Sequence, residues 1–196
     1  MSSSPATGTR LPREQRREAI LDAAAKVLAQ QPCEAVSMSD IVRASDVSRP
    51  VVYDHFATRQ AIVIALIRRH HQVFVDALRQ VIAQGGIVDE ATYRALLNAA
   101  FDHFESDPAG WRLLCYEPSA DPAIAAAQRE TRDEVLALGR AAFHLPPGSE
   151  TVLEGLRTAI NGLFAWQRDC PGVSREQLVD AAVQLTWHGL ARARRS

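Results

Sequence analysis

Residues 37–56 read SMSDIVRASDVSRPVVYDHF. Two short stretches, each opened by a serine, flank the dipeptide Ser45-Asp46. The Ser37 hydroxyl can accept from the free amides of a first helical turn, and Asp40 stands three places on, where an acidic side chain closes a capping box. Ile41, Val42 and Ala44 give this stretch its apolar side. Ser48 is expected to cap the second stretch, with Arg49 and Pro50 in its first turn, where proline removes no needed donor. Two short helices joined by a tight turn, with Val47 just past it, are the pattern of a helix-turn-helix. The second helix of that motif lies in a DNA major groove, so it must be packed from behind and polar at its tips. Val47, Val52 and Phe56 take the packing positions, which leaves Arg49, Pro50, Tyr53 and His55 for the other faces. A guanidinium on the first turn can bond guanine O6 and N7 together, worth ~1–3 kcal/mol of discrimination.

Outward from this stretch the chain reads as helix after helix, with no sustained two-residue alternation that would mark a strand. Before it, a helix starts at Pro12 or Arg13 and runs to Gln31, with Ile20, Ala23, Ala24, Val27 and Leu28 as its buried stripe, and Pro32 stops it. After it, Thr58 caps a long helix over 59–84 that Gly85-Gly86 ends. Further helices are expected over 90–106, briefly from Pro108, over 122–143, 149–169 and 175–194. Asp107-Pro108 and Asp121-Pro122 are cap-then-proline starts, and Ser174 with Gln177 is a capping box. The fold class is therefore all-α, with nine helices. An N-terminal three-helix head over 12–58 carries the helix-turn-helix, a helical body covers 59–196, and residues 1–11 form a disordered arm.

Composition narrows the function. The 196 residues carry 22 Lys+Arg against 23 Asp+Glu, so bulk charge supplies almost no field toward a polyanion. Nucleic acid must be bound through a small placed patch. The longest apolar run, Ala61 to Ile67, is far short of the ~20 residues of a membrane span. No membrane partner is expected. Met1 to Leu11 has no apolar leader core, and Cys33, Cys115 and Cys170 are odd in number and far apart, so a reducing cytoplasm is the expected location. Arg10, Arg13, Arg16 and Arg17 make a weak basic arm, diluted by Glu14 and Glu18, that could settle in a minor groove or simply fray.

Over about 50 residues, from the first helix into the fourth, the sequence resembles the TetR family of one-component bacterial regulators. The resemblance rests on Ser37, Ile41-Val42, Ala44-Ser45-Asp46, Val47-Ser48, Tyr53-Asp54-His55-Phe56, Arg59 and Ile62. Asp46 stands where the family has a turn glycine, so a left-handed backbone is expected at an aspartate that tolerates it. Arg59 replaces the usual lysine, and Val51 replaces a frequent hydroxyl. The resemblance implies phosphate contacts from Ser37, Tyr53, His55 and Arg59, a cap and a phosphate contact from Ser48, and base contacts from Arg49 and Pro50. Ser39 falls where some members read a base. The plain alternatives are a packed aromatic at Tyr53, a satisfied core histidine at His55 and a solvated arginine at Arg49.

The resemblance also implies a homodimer that binds double-stranded operator DNA and a small-molecule effector. Its four-helix interface would come from the last two helices, through Leu156, Ile160, Leu163, Val179, Ala182, Val183 and Thr186; the alternative is a buried stripe within one chain. Aromatic and apolar lining with a few polar tips suits an effector pocket, and Phe101, His103, Phe104, Trp111, Cys115, Tyr116, Phe143, Phe164, Trp166 and Gln167 are its candidates. No catalytic motif, metal-ligand spacing or cofactor loop is present. His70 and His71 are adjacent, about 100° apart on a helix, and cannot hold one ion from one face. The reading is a transcriptional repressor, not an enzyme, released by a small apolar effector. Its rivals are a small-ligand carrier or enzyme with an incidental helix-turn-helix, and a ligand-independent architectural DNA binder.

Overall fold

The computed structural model describes residues 12–113, 118–170 and 172–193. Among them lie nine α-helices and no strand: α1 (Arg13–Gln30), α2 (Met38–Ala44), α3 (Arg49–His55), α4 (Arg59–Ala83), α5 (Glu90–Ser106), α6 (Pro108–Trp111), α7 (Pro122–Ala142), α8 (Glu150–Asp169) and α9 (Arg175–Ala193). A 3-10 turn over Cys33–Ala35, which the sequence reading lacks, follows Pro32.

Local chemistry sets most boundaries. Ser37 accepts from the Asp40 amide at 3.2 Å while the Asp40 carboxylate accepts from the Ser37 amide at 2.9 Å. These bonds from Ser37 also hold the Asp40 carboxyl below its usual range. Thr58 caps α4 through the Ala61 amide, Asp107 caps α6 through Gly110, and Asp121 caps α7 through Ala123 and Ile124. Ser174 and Gln177 form the reciprocal pair at the start of α9. Ser48 sits at the N-cap of α3 but its side chain makes no capping bond. Pro50, at the second helical position, has no N–H to offer it.

The turn between α2 and α3 also departs from expectation. Among the described residues only His144 combines a side chain with a positive φ, so Asp46 is not left-handed. Ser45 instead leaves α2 in an extended conformation at φ −89°, ψ 141°. Its hydroxyl donates to the Val42 carbonyl at 3.0 Å and lies 3.3 Å from that of Val47. That hydroxyl bridges the turn, and no glycine is required.

Contacts divide the chain into two compact units, one ending at Ala65 and the other beginning at Leu66, within α4. The first turns of α4 stay with the head, where the Arg59 guanidinium donates to the Cys33 carbonyl at 2.6 Å. The head buries Ile20, Leu21, Ala24, Ile41, Val52 and Phe56. The second unit has a larger core, built mostly from α5, α8 and α9 and rich in aromatic rings. Gly86 shapes one corner of it. At φ +79° it brings Ile87 to donate to the Ala142 carbonyl at 2.6 Å, and a Cβ there would lie 2.6 Å from that same oxygen.

Candidate DNA-reading helix and effector cavity

The head presents α3 much as its pattern demands. Val52 is fully buried and Phe56 nearly so, while Ser48, Arg49, Pro50 and Tyr53 are exposed. Tyr53, 41% exposed, is not a packed core aromatic. Arg49 lies along it: the guanidinium carbon is 5.5 Å from the ring centroid, and one nitrogen is 3.5 Å from the hydroxyl. Stacking on an aromatic face restrains a long, flexible cation. Ser37 and Ser39 are also exposed, at the start of α2.

Two other candidates turn inward. His55 is half-buried, and its Nε2 is enclosed without a hydrogen-bond partner, so it is not a satisfied core histidine. Arg59 is half-buried and directs one arm of its guanidinium to the Cys33 carbonyl and, at 3.6 Å, to the Cys33 sulfur. That arm is committed within the chain. Arg17 of the basic arm lies 5.3 Å over the Phe56 ring and pairs with Glu18. Arg10 lies outside the described residues.

The second unit holds a partly open apolar cavity of 130 Å³. Phe74 and Leu78 from α4, Tyr93, Leu97 and Phe104 from α5, Trp111 from α6, Val135 and Leu136 from α7, and Leu153, Leu156 and Ile160 from α8 line it. Of the expected pocket residues, His103, Phe104, Trp111 and Phe143 are on its wall. Phe101 and Phe164 stand behind the wall: they stack on one another at 6.0 Å, and Phe164 meets Trp111 edge-on at 4.9 Å. Trp166 is 51% exposed, because two residues along a helix place it roughly 200° round from Phe164. The Gln167 side chain donates to the Val173 carbonyl. Neither belongs to the wall. Cys115 and Tyr116 lie outside the described residues. On α5 the sequence reading missed Tyr93, Leu97 and Ala100, although their three- and four-residue steps to Phe104 form a stripe that could have marked them. The α7 contribution gave little signal, because Thr131 and Arg132 fall among its wall residues.

Polar groups around the cavity are mostly engaged. The Tyr93 hydroxyl meets that of Thr186 at 2.6 Å, and burial pushes its pKa up to about 12. Trp111 donates to Asn161, Thr131 to the Ala127 carbonyl, and Arg157 to both oxygens of Glu154. His71 pairs with Glu134 at 2.9 Å, and His70 donates through Nδ1 to Asp107. The two adjacent histidines thus serve different partners. Among the described residues no cluster of three metal-ligating side chains occurs.

The expected dimer stripe is covered by the chain itself. Leu156 and Ile160 line the cavity, Leu163 packs on the core, and Val179, Ala182, Val183 and Thr186 are buried. Ile160 and Leu163 are half-buried, and the other five offer little surface to a second copy. The exposed large apolar residues of α8 and α9 are Val152, Trp166 and Leu185.

A family model described as "Bacterial regulatory proteins, tetR family" matches residues 20–66. The chain is 32% identical over 186 residues to the HTH-type transcriptional repressor LfrR of Mycolicibacterium smegmatis, covering 91% of this chain and 92% of that protein. It is 28% identical over 191 residues to the HTH-type transcriptional activator FasR of the same organism, covering 94% and 87%. In structure it resembles SmeT, the repressor of a Stenotrophomonas maltophilia multidrug efflux pump, solved as a triclosan complex. That match has a TM-score of 0.67 at 18% identity and covers 87% of this chain and 91% of SmeT.

Proposed function

The chain belongs to the tetR family of bacterial regulatory proteins and is a DNA-binding transcriptional regulator, and from that premise we propose that it is a cytoplasmic, homodimeric repressor released from a palindromic operator by a small apolar effector. The observation that carries this reading is a chain with both parts: an exposed Arg49–Tyr53 face on α3, and an apolar cavity in the second unit. A purely architectural DNA binder has no use for the cavity. Arg49 and Pro50 read bases, Ser39 stands where a base could be read, and Ser37, Ser48 and Tyr53 contact phosphates; His55, with its Nε2 enclosed, stays within the head. Arg59 orders the head through Cys33.

One head makes too few contacts for useful affinity. Two heads on half-sites ~34–36 Å apart share one entropy cost. The dimer forms through the outer face of α8 and α9. Val152, Gly155, Ala159, Gly162 and Trp166 follow one another at three- and four-residue steps along α8, and Leu185 is exposed on α9, which packs against it. Gly155 and Gly162 have open space where a Cβ would stand, so a second helix can approach closely. α4 carries head residues at Ile62 and Val63 and cavity residues at Phe74 and Leu78. An effector that favours the wider spacing of the two heads by ~1–3 kcal/mol loosens the operator complex. SmeT forms a complex with triclosan, and binding of a small molecule is proposed here for the second unit. LfrR is named a repressor and FasR an activator; repression is the direction proposed for this chain.

A labelled palindromic duplex from the protein's own promoter tests the reading. About eight phosphate contacts per dimer give a log–log salt slope near −7. A slope near zero removes operator binding from the account.

A further inference from the structure

We propose that the cavity takes an uncharged, single-ring aromatic alcohol, a phenol, whose hydroxyl bonds to His103. This rests on the effector reading above and names the chemistry of the ligand. Size comes first. The cavity measures 130 Å³, and an engineered apolar cavity of about 150 Å³ admits benzene. Shape agrees, since Phe74, Tyr93, Phe104, Trp111 and Phe143 contribute rings to the wall, and rings prefer tilted or edge-on contact with other rings.

The hydroxyl is inferred from hydrogen-bond accounting along the wall. Tyr93, Trp111, Thr131, Arg157 and His71 each already have a partner, and Arg132 pairs with Asp133 at 3.5 Å. His103 is the exception among the described residues. It is half-buried on the wall, its ring lies 6.4 Å from that of Phe104, and its ring nitrogens have no hydrogen-bond partner. Burial holds its pKa below the ordinary 6.5, with the carboxylate of Asp107 opposing that shift and His70 adding to it. A neutral imidazole offers one N–H donor and one bare nitrogen acceptor, and a hydroxyl can satisfy either.

Charge excludes the other classes. Among the described residues no carboxylate lines the cavity and two arginines do, so a cation meets like charge there. An anion finds Arg157 and Arg132 already paired with Glu154 and Asp133. It would also have to leave water for an apolar surround.

Four probes that share one tolyl ring test this on the full chain by calorimetry and by release of the operator duplex: 4-methylphenol, toluene, 4-methylbenzoate and 4-methylbenzylamine. The expected order is 4-methylphenol about tenfold tighter than toluene, with the two ions about a hundredfold weaker than the phenol. In His103→Leu the phenol falls to the level of toluene, and in His103→Gln, which keeps a hydrogen-bonding group, part of the advantage returns. A phenol advantage that survives His103→Leu, or 4-methylbenzoate binding best, overturns the inference. If toluene and 4-methylphenol bind and release the operator equally, the effector reading stands and the hydroxyl assignment falls. If none of the four binds, the phenol inference falls, while operator binding is judged separately by its salt slope.

Discussion

The head and the second unit solve opposite problems with the same helical material. The head buries a small set of aliphatic side chains so that α3 can leave Arg49, Pro50 and Tyr53 outside. The second unit draws Tyr93, Phe101, Phe104, Trp111, Phe143 and Phe164 inward and leaves a gap among them. A side chain on the head's outer face is therefore expected to carry binding free energy and little folding free energy. On the cavity wall the balance is reversed. Exposure alone separates the two cases: Tyr53 is 41% exposed and Phe104 is 6%.

The sharpest way to break this contrast is to truncate one aromatic on each side. Phe104→Ala is expected to cost about 3–5 kcal/mol of folding stability, measured by urea unfolding. Tyr53→Ala should stay within about 0.5 kcal/mol in the same measurement while weakening operator binding. Equal losses of stability would mean that Tyr53 is a packing residue and that the division is misdrawn. A smaller effect sharpens the head alone. Arg49→Ala should cost ~1–3 kcal/mol at the cognate operator and leave non-specific duplex binding nearly unchanged. Uniform loss on every sequence would make Arg49 a phosphate contact instead.

The smallest effect concerns the second unit and pH. Burial lowers the His103 pKa in the folded chain below 6.5. Between those two values the unfolded chain binds more protons, so stability declines as pH falls through 6.5 into that interval. Asp107 acts in the same direction at lower pH. Burial raises its carboxyl, but hydrogen bonds from His70 and from the Gly110 amide outweigh that and hold it below 3.8. Its contribution is complete above 3.8 and is lost as pH falls through the folded value. Urea midpoints at pH 7.5 and pH 5.5 should differ in the native chain. The gap should narrow in His103→Leu, and an unchanged gap would remove His103 from the explanation.

The helix boundaries were legible because they depend on side chains within a few residues of each other. Ser37 with Asp40, Asp107 ahead of Pro108, Asp121 ahead of Pro122 and Ser174 with Gln177 all act across one turn. The head's exposed face was legible for the same reason, since the period of α3 sorts Val52 and Phe56 from Arg49 and Tyr53. Some local readings still failed. Ser48 makes no capping bond at the start of α3, whose second position is Pro50, and Ser45 rather than Asp46 shapes the turn.

What the sequence determined by itself was thus the helices, their order and the side of α3 that faces outward, since those follow from hydrogen bonds and periodicity along a single stretch of chain. Only the tertiary structure decided which apolar side chains surround a cavity, fill a core or stay exposed. Leu156, Phe164 and Trp166 look alike along α8, yet the first lines the cavity, the second stands behind its wall and the third is exposed. Spacing puts Trp166 on the opposite side from Phe164, but which side is covered, and whether a covered residue meets a cavity or a core, depends on what α5, α6 and α7 bring against α8. The commitment of Arg59 to the Cys33 carbonyl is of the same kind, a contact across 26 residues of chain that fixes how much of a cation is left for a partner.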